Sequence, residues 1–248
     1  MTMPEIVPRL SVVIPAYNEE LRLADTLASV GRYLQAQPYA SEVIVVDDGS
    51  RDRTAEVVRA CTAVKPLRLL QHPDGANHGK GAAVRLGMLA AAGSYRLFMD
   101  ADNSTTLDQV AGLWPWFEQG YDVVIGSRRK HGARIDSRQA RHKELAGRLG
   151  NLVIRWLAVP GIEDTQAGFK MFTAVCAQAL FSRQTLDRWG YDIELLAMAR
   201  QLGYRVQEVP IVWNNAPGSK VRLGSYLEVL AEVWHVRRNL KSGRYLRR

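Results

Sequence analysis

Short apolar runs alternate with amphipathic stretches through the first half of the chain. The runs LSVVIPAY (10–17) and SEVIVVDDGS (41–50) are rich in β-branched residues and end in turn residues, a pattern typical of strands buried on both faces of a parallel sheet. Between them, apolar residues recur at spacings of three and four, which predicts a helix with one apolar face over 19–35. The chain therefore starts as a β-α-β unit.

The same alternation continues to residue 128. A helix is predicted after an N-cap at Ser50 or Asp52. It is followed by the strand LRLLQHP, the helix GKGAAVRLGMLAAAG and the strands YRLFMDAD and YDVVIGSR. Strands that alternate with helices predict an α/β fold with a mostly parallel central sheet and right-handed crossovers.

The second half is less regular. Apolar residues line one face of a predicted helix over 138–158, and the helix DIELLAMARQLG, the strand YRVQEVPIVW, the helix SYLEVLAEVWHVRRNL and a basic tail follow it. The sequence contains no internal repeat or low-complexity segment, and 248 residues with 47% apolar content can form one large core. A single domain over 1–248 is predicted.

Polar clusters follow four of the predicted strands: AYNEE, DDGS, DADN and GSRR. Because ligands of open α/β sheets bind beyond the carboxyl ends of the strands, these clusters predict one binding edge. In DADN, Asp100 and Asp102 could both turn toward one divalent cation, either Mg²⁺ or Mn²⁺. The alternative is a solvated turn in which Asp102 or Asn103 caps the next helix.

Two other loops offer polar groups at this edge. In DDGS, Asp47 and Asp48 could accept hydrogen bonds from a base or ribose, or the segment could be turn and cap chemistry alone. The loop GANHGKG departs from the Walker pattern, yet a glycine-rich lead into a helix with Lys80 could meet an anion. A plain loop before a helix is the alternative.

Charge and residue usage narrow the class of protein. A formal charge of +8 favours an anionic partner, but nucleic acid is disfavoured because the carboxylates cluster where a polyanion would have to sit. Two distant cysteines and five unclustered histidines indicate neither a disulfide framework nor a zinc site. Without a signal peptide or an apolar run of about 18 residues, a cytoplasmic location is expected.

Eight blocks in order resemble the family 2 glycosyltransferases, specifically the polyprenyl-phosphate (dolichyl-phosphate) hexosyltransferases. They are IPAYNEE, VIVVDDGSRDRT, GKGAAVRLGM, FMDADNSTT, VVIGSRR, GIEDTQAGFKMF, RWGYDIELLAMARQLGYRVQEVPIVW and GSKVRLG. The resemblance covers roughly 10–225. It implies an enzyme of GT-A fold that inverts the anomeric centre, with a nucleotide-sugar half (about 1–128) and an acceptor half (about 129–225). The residue pattern itself predicts the amphipathic basic helix and tail that follow (226–248).

The resemblance also assigns roles to single residues. Nucleotide contacts are implied at Pro15, Tyr17, Glu19, Val46 and Asp48. The diphosphate and metal motif is implied at Asp100, Ala101 and Asp102, and phosphate-facing cations at Arg128 and Lys220.

Two positions bear on the donor sugar. The mannosyl branch has an arginine where this chain has Asn214, and it tends to have threonine or serine where this chain has Gln166. The resemblance therefore implies the glucosyl branch, which uses UDP-glucose, with GDP-mannose as the alternative donor.

The acceptor decides whether a general base is needed. A polyprenyl monophosphate is already anionic near neutral pH, so positioning and charge stabilisation would be sufficient. A sugar hydroxyl, the alternative acceptor, would need a carboxylate base, and Asp164 and Asp192 are the candidates. Their structural alternatives are a loop-ordering turn for Asp164 and a helix N-cap for Asp192.

A lipid acceptor requires contact with a bilayer surface. The helix over 138–158 pairs an apolar face with arginines, and the tail RRNLKSGRYLRR is basic, so peripheral binding at the inner face of a membrane is predicted. The alternative is that the apolar face packs in the core and the tail is solvated.

Overall fold

The structure, a computed structural model, describes residues 7–135, 158–214 and 224–246. Within these ranges the strands are β1 Leu10–Ala16, β2 Ser41–Asp47, β3 Leu67–Gln71, β4 Tyr95–Met99, β5 Val123–Ser127, β6 Arg134–Ile135, β7 Phe169–Thr173, β8 Val206–Pro210 and β9 Val212–Trp213. The helices are α1 Leu23–Gln35, α2 Thr54–Ala60, α3 Lys80–Ala90, α4 Trp114–Glu118, α5 Ala174–Phe181, α6 Tyr191–Gln201 and α7 Gly224–Lys241. Short 3₁₀ helices cover Leu107–Gly112 and Arg244–Leu246.

The central sheet has seven strands in the order β3-β2-β1-β4-β7-β5-β8. All neighbouring pairs are parallel except those of β7, which runs antiparallel between β4 and β5. The predicted α/β architecture with a mostly parallel sheet is confirmed. Since β1, β2, β3, β4, β5 and β8 point the same way, their carboxyl ends share one edge.

Helices cover both faces of the sheet. Strand residues that alternate along the chain enter opposite cores: Val13 and Phe98 pack with α3, α5 and α6, whereas Val12 and Leu97 pack with α1 and the first 3₁₀ helix. Helix α3 lies unusually close to the sheet because a Cβ at Gly87 would lie 2.4 Å from Cγ1 of Val13. This close approach fixes where the first residue of α3, Lys80, meets the edge.

Several predicted element bounds are corrected. Helix α2 begins at Thr54, and neither Ser50 nor Asp52 is its N-cap, although the Asp52 carboxylate does accept the Thr54 backbone N–H. The predicted strand YRVQEVPIVW divides at Ile211, whose N–H donates to the Ser127 carbonyl of β5 (3.2 Å) while its carbonyl accepts the Arg134 N–H of β6 (3.1 Å). Its first part joins β5, and its second part pairs with β6 in a separate two-stranded sheet.

The C-terminal segment packs on the domain. Tyr245, in the final 3₁₀ helix, is buried and donates a 2.8 Å hydrogen bond to the buried Glu194 of α6. This end of the basic tail is therefore not simply solvated. The predicted helix over 138–158 lies outside the described residues except for Ala158. Among the helices that are described, none is both long and apolar enough to cross a bilayer.

Candidate active site

The DADN loop leaves β4 at the shared carboxyl edge and is held at three points. The Asp100 N–H donates to the Gly168 carbonyl (3.2 Å), the Ala101 carbonyl accepts from Thr26 Oγ1 (2.7 Å), and Asp102 Oδ1 accepts the Ser104 N–H (3.0 Å). The next helix begins at Leu107 with Thr106 before it, so neither Asp102 nor Asn103 caps it. The loop presents Asp100 and Asp102 with fixed backbones at the binding edge.

The repulsion between these two carboxylates is relieved by a lysine. Lys80 Nζ lies 2.6 Å from Oδ1 of Asp100. Burial lowers the pKa of Lys80, but the charges of Asp100 and Asp192 outweigh that effect and raise its pKa above the ordinary value. Lys80 therefore carries a full positive charge at the place where the sequence predicted an anion contact.

Beneath the DADN loop lies a buried ion pair that joins β7 to α6. Lys170 is fully buried, and its Nζ lies 2.6 Å from Oδ1 of Asp192 and 2.5 Å from the Ala167 carbonyl. Burial lowers the pKa of Lys170 and raises that of Asp192. The residue before α6 is Gly190, so the N-cap alternative for Asp192 is wrong. Through its bond to Ala167, Lys170 holds the 164–168 loop, which in turn contacts the DADN loop through Gly168.

Arg128 follows β5 and forms three hydrogen bonds with the carboxylate of Asp164. Its Nε lies 2.8 Å from Oδ2 and its NH2 nitrogen 2.8 Å from Oδ1, and its backbone N–H donates to Oδ2 at 2.9 Å. The Trp213 ring packs 5.5 Å from the guanidinium carbon. Burial alone would lower the pKa of Arg128 and raise that of Asp164. The attraction between the two opposite charges is stronger, so the pKa of Arg128 is raised and that of Asp164 is lowered. Asp164 is thus an anchor for the arginine in this structure.

We expect Asp164→Asn to lower the free energy of unfolding by about 3 kcal/mol at pH 7, because it leaves Arg128 without its buried counter-ion. The pKa of Asp164 is lower in the folded state than in the unfolded state, so its stabilisation is present above the unfolded value, near pH 4, and is lost as the pH falls through the folded value. Urea unfolding at pH 7 and near pH 3 measures this. A difference between the two proteins that does not shrink in acid would contradict the assignment.

The residues implied as nucleotide contacts at the ends of β1 and β2 differ in how accessible they are. The Val46 side chain is fully buried in the core, and Pro15 is buried within β1. Tyr17 is half-buried, and Glu19 is buried and forms a salt bridge with Arg22 (2.6 Å). The Val46 side chain is therefore not accessible to a ligand, whereas Tyr17 and Glu19 lie at the edge itself.

The DDGS carboxylates are hydrogen-bonded within the protein. Asp48 accepts the N–H groups of His78 and Gly79 and the side-chain amide of Asn77, each at 2.8–2.9 Å. Asp47 accepts from the Ser50 N–H and from Gln71. The GANHGKG amides of residues 78 and 79 are thus directed to Asp48, and Lys80 is the group of this loop that faces the metal motif.

Two predicted site residues remain to be located, Gln166 and Lys220. Gln166 is exposed beside the buried Thr165, and Lys220 lies outside the described residues. Within the described ranges, no third histidine, cysteine, aspartate or glutamate joins Asp100 and Asp102 in a group able to hold a metal ion. Lys170 and Gly168 were not predicted from the sequence, although a lysine inside the apolar strand GFKMF is a signal for a buried ion pair.

Comparison with known proteins identifies the family. The model of glycosyl transferase family 2 matches residues 11–190. The chain belongs to glycosyltransferase family 2. It is 35% identical to a dolichyl-phosphate β-glucosyltransferase of Trichomonas vaginalis over 90% of this chain and 71% of that protein. A human dolichyl-phosphate β-glucosyltransferase is 32% identical over 98% of this chain and 80% of its own length.

A solved structure of the same fold is glucosyl-3-phosphoglycerate synthase of Mycobacterium tuberculosis in complex with Mn²⁺, UDP-glucose and phosphoglyceric acid. It superposes with a TM-score of 0.67 at 19% identity and covers 93% of this chain and 80% of that chain. The same synthase has been crystallised with Mg²⁺ and UDP, with a TM-score of 0.66. These similarities establish the GT-A fold, and the implied family and fold are both confirmed.

Proposed function

We propose that this family 2 glycosyltransferase transfers glucose from UDP-glucose to a dolichyl-type polyprenyl monophosphate, with inversion at the anomeric carbon. The observation that carries the proposal is the match to dolichyl-phosphate β-glucosyltransferases over 90% or more of this chain. The site geometry is compatible with it, because the carboxylates of Asp100 and Asp102 and the guanidinium of Arg128 lie at one sheet edge.

The proposal that a divalent metal ion binds here is supported by the chemistry of the two carboxylate ligands. Asp100 and Asp102 offer carboxylate oxygens from a loop of fixed backbone, which suits Mg²⁺ or Mn²⁺. No third acidic, histidine or cysteine ligand is found among the described residues, so diphosphate oxygens of the sugar donor and water would complete the coordination of the cation. When bound, the cation supplies charge stabilisation for the departing nucleoside diphosphate.

The protein's own residues contribute positioning and charge. A phosphate monoester is already anionic, with a second pKa of about 6, so the acceptor needs no base. Both candidate bases agree with this, since Asp164 is paired with Arg128 and Asp192 with Lys170. Arg128, which contacts Asp164 and Trp213, is proposed to stabilise the diphosphate or the acceptor phosphate, and Lys220 is proposed to hold a phosphate.

A lipid acceptor also requires the enzyme to meet a bilayer. We therefore keep peripheral attachment at the inner, cytoplasmic face of a membrane as part of the proposal. A lipid phosphate acceptor supports it, as does the run of basic residues near the end of the chain.

The test is transfer of label from radioactive UDP-glucose to dolichyl phosphate in detergent, with GDP-mannose in parallel and EDTA as a control. We expect EDTA-sensitive labelling of the lipid from UDP-glucose alone. Labelling only from GDP-mannose would overturn the donor, labelling that survives EDTA would overturn the metal, and transfer to a free sugar without lipid labelling would favour a saccharide acceptor.

A further inference from the structure

Lys80 is placed at the metal motif by the architecture of three elements. It is the first residue of α3, and the preceding Gly79 takes a left-handed φ of 103°. The Asp48 carboxylate at the end of β2 accepts the Gly79 N–H, which fixes the start of the helix. The lysine side chain, 24% exposed, then reaches across to Asp100 on the neighbouring loop.

The carboxylate of Asp100 is closed on one side. It lies against the α-carbon of Gly168, so closely that a Cβ there would lie 2.1 Å from Oδ2 and 2.5 Å from Oδ1. Lys80 Nζ lies 2.6 Å from Oδ1, and 36% of the Asp100 side chain is exposed. A cation that binds Oδ1 of Asp100 would therefore lie close to the lysine ammonium.

We propose that Lys80 substitutes for the charge of the divalent cation in the nucleotide-free enzyme and must release Asp100 before that cation binds. The inference rests on the metal use proposed above and adds an order of events. Two positive groups cannot share one carboxylate oxygen closely without repulsion, so metal and lysine bind Asp100 in competition. A nucleoside diphosphate offers the ammonium another anion, and the metal therefore binds tightly only together with the donor.

Electron paramagnetic resonance of free Mn²⁺ tests this without turnover. The wild type, Lys80→Met and Lys65→Met are each titrated with Mn²⁺, with and without saturating UDP. Lys65 is exposed and precedes β3 at the opposite edge of the sheet, so its variant matches the change in net charge. Without UDP, we expect Lys80→Met to bind Mn²⁺ about 10- to 100-fold more tightly than the other two, the factor expected from losing a charged competitor.

The outcomes separate this inference from the proposed function. If UDP makes the wild type bind Mn²⁺ but Lys80→Met gains no affinity without UDP, the competition is refuted while metal use stands. If no sample binds Mn²⁺, both are refuted. Crystals of the wild type with and without Mn²⁺ answer the question if the variant fails to fold: we expect Lys80 Nζ to move from hydrogen-bond distance to more than about 4 Å from Asp100. An unchanged lysine beside a bound metal would overturn the proposal.

Discussion

Asp102→Ala is expected to reduce glycosyl transfer by about 1,000-fold or more, because it removes one of the two carboxylates proposed to hold the cation opposite the departing diphosphate. Asp102 stands at the open edge, where Lys80 already takes Asp100, so Asp102 is the carboxylate most available to a metal. Among the described residues, no third acidic side chain joins Asp100 and Asp102 in a metal-binding group. The measurement is the initial rate of lipid labelling at saturating Mn²⁺ or Mg²⁺.

The substitution is not expected to unfold the protein. Asp102 is partly exposed, and among the described residues its carboxylate has one hydrogen bond, with the Ser104 N–H, which stabilises the fold by about 1 kcal/mol. Asp108→Ala is the matched control, since it removes an exposed carboxylate six residues further along the same segment. The circular dichroism and melting of both variants should resemble those of the wild type. Activity of Asp102→Ala within tenfold of Asp108→Ala would refute the role of Asp102.

The sequence was informative about strands and about the edge where they end. Apolar β-branched runs such as Val43–Val46 have few alternatives to a buried strand, and polar residues immediately after such runs must emerge at the carboxyl edge. The positions of Asp100, Asp102 and Arg128 could therefore be predicted. Element ends were less predictable because they depend on single contacts, as where Ile211 donates to β5 and accepts from β6, which divides the predicted strand between two sheets.

Partners of charged residues could not be predicted from the sequence. Asp164 and Arg128 are 36 residues apart, and Lys80 and Asp100 are 20 apart, so each pairing depends on how loops of different crossovers meet. The antiparallel β7, which carries Lys170, lies between β4 and β5. The 164–168 loop before it therefore contacts the loops that follow both strands, through Gly168 with Asp100 and through Asp164 with Arg128. A local pattern contains no information about which strand is inserted between two others.

This insertion also places alternating charges along the site. Arg128 is paired with Asp164, Lys170 with Asp192, and Lys80 with Asp100, while Asp192 also acts on Lys80 and Asp164 on Lys170. Each of these charges thus has an opposite charge within hydrogen-bond distance, and these pairings hold the side chains of Arg128 and Asp100 in position. The donor and its cation would add charges to an arrangement that is already balanced, so their affinities should depend on each other.

Gly168→Ala is expected to reduce transfer by about 100-fold through Asp100 alone. The added Cβ would lie 2.1 Å from Oδ2 of Asp100, so the Asp100 carboxylate must move away from its present position, which is the one proposed to bind the cation. The backbone of Gly168 is not in the left-handed region, so alanine causes steric displacement without backbone strain. Gly112→Ala is the control, because a Cβ there meets nothing within 4 Å.

A double-mutant cycle then distinguishes displacement of Asp100 from a general distortion of the β7 loop. The readout is UDP affinity in the presence of Mn²⁺, which needs no turnover. If the methyl group acts by displacing the Asp100 carboxylate, Gly168→Ala weakens UDP binding in the wild type but has no further effect once Asp100 is alanine, since no carboxylate is left to displace. Equal losses in both backgrounds would show that the 164–168 loop itself is distorted, and the role assigned to the bare α-carbon of Gly168 would be wrong.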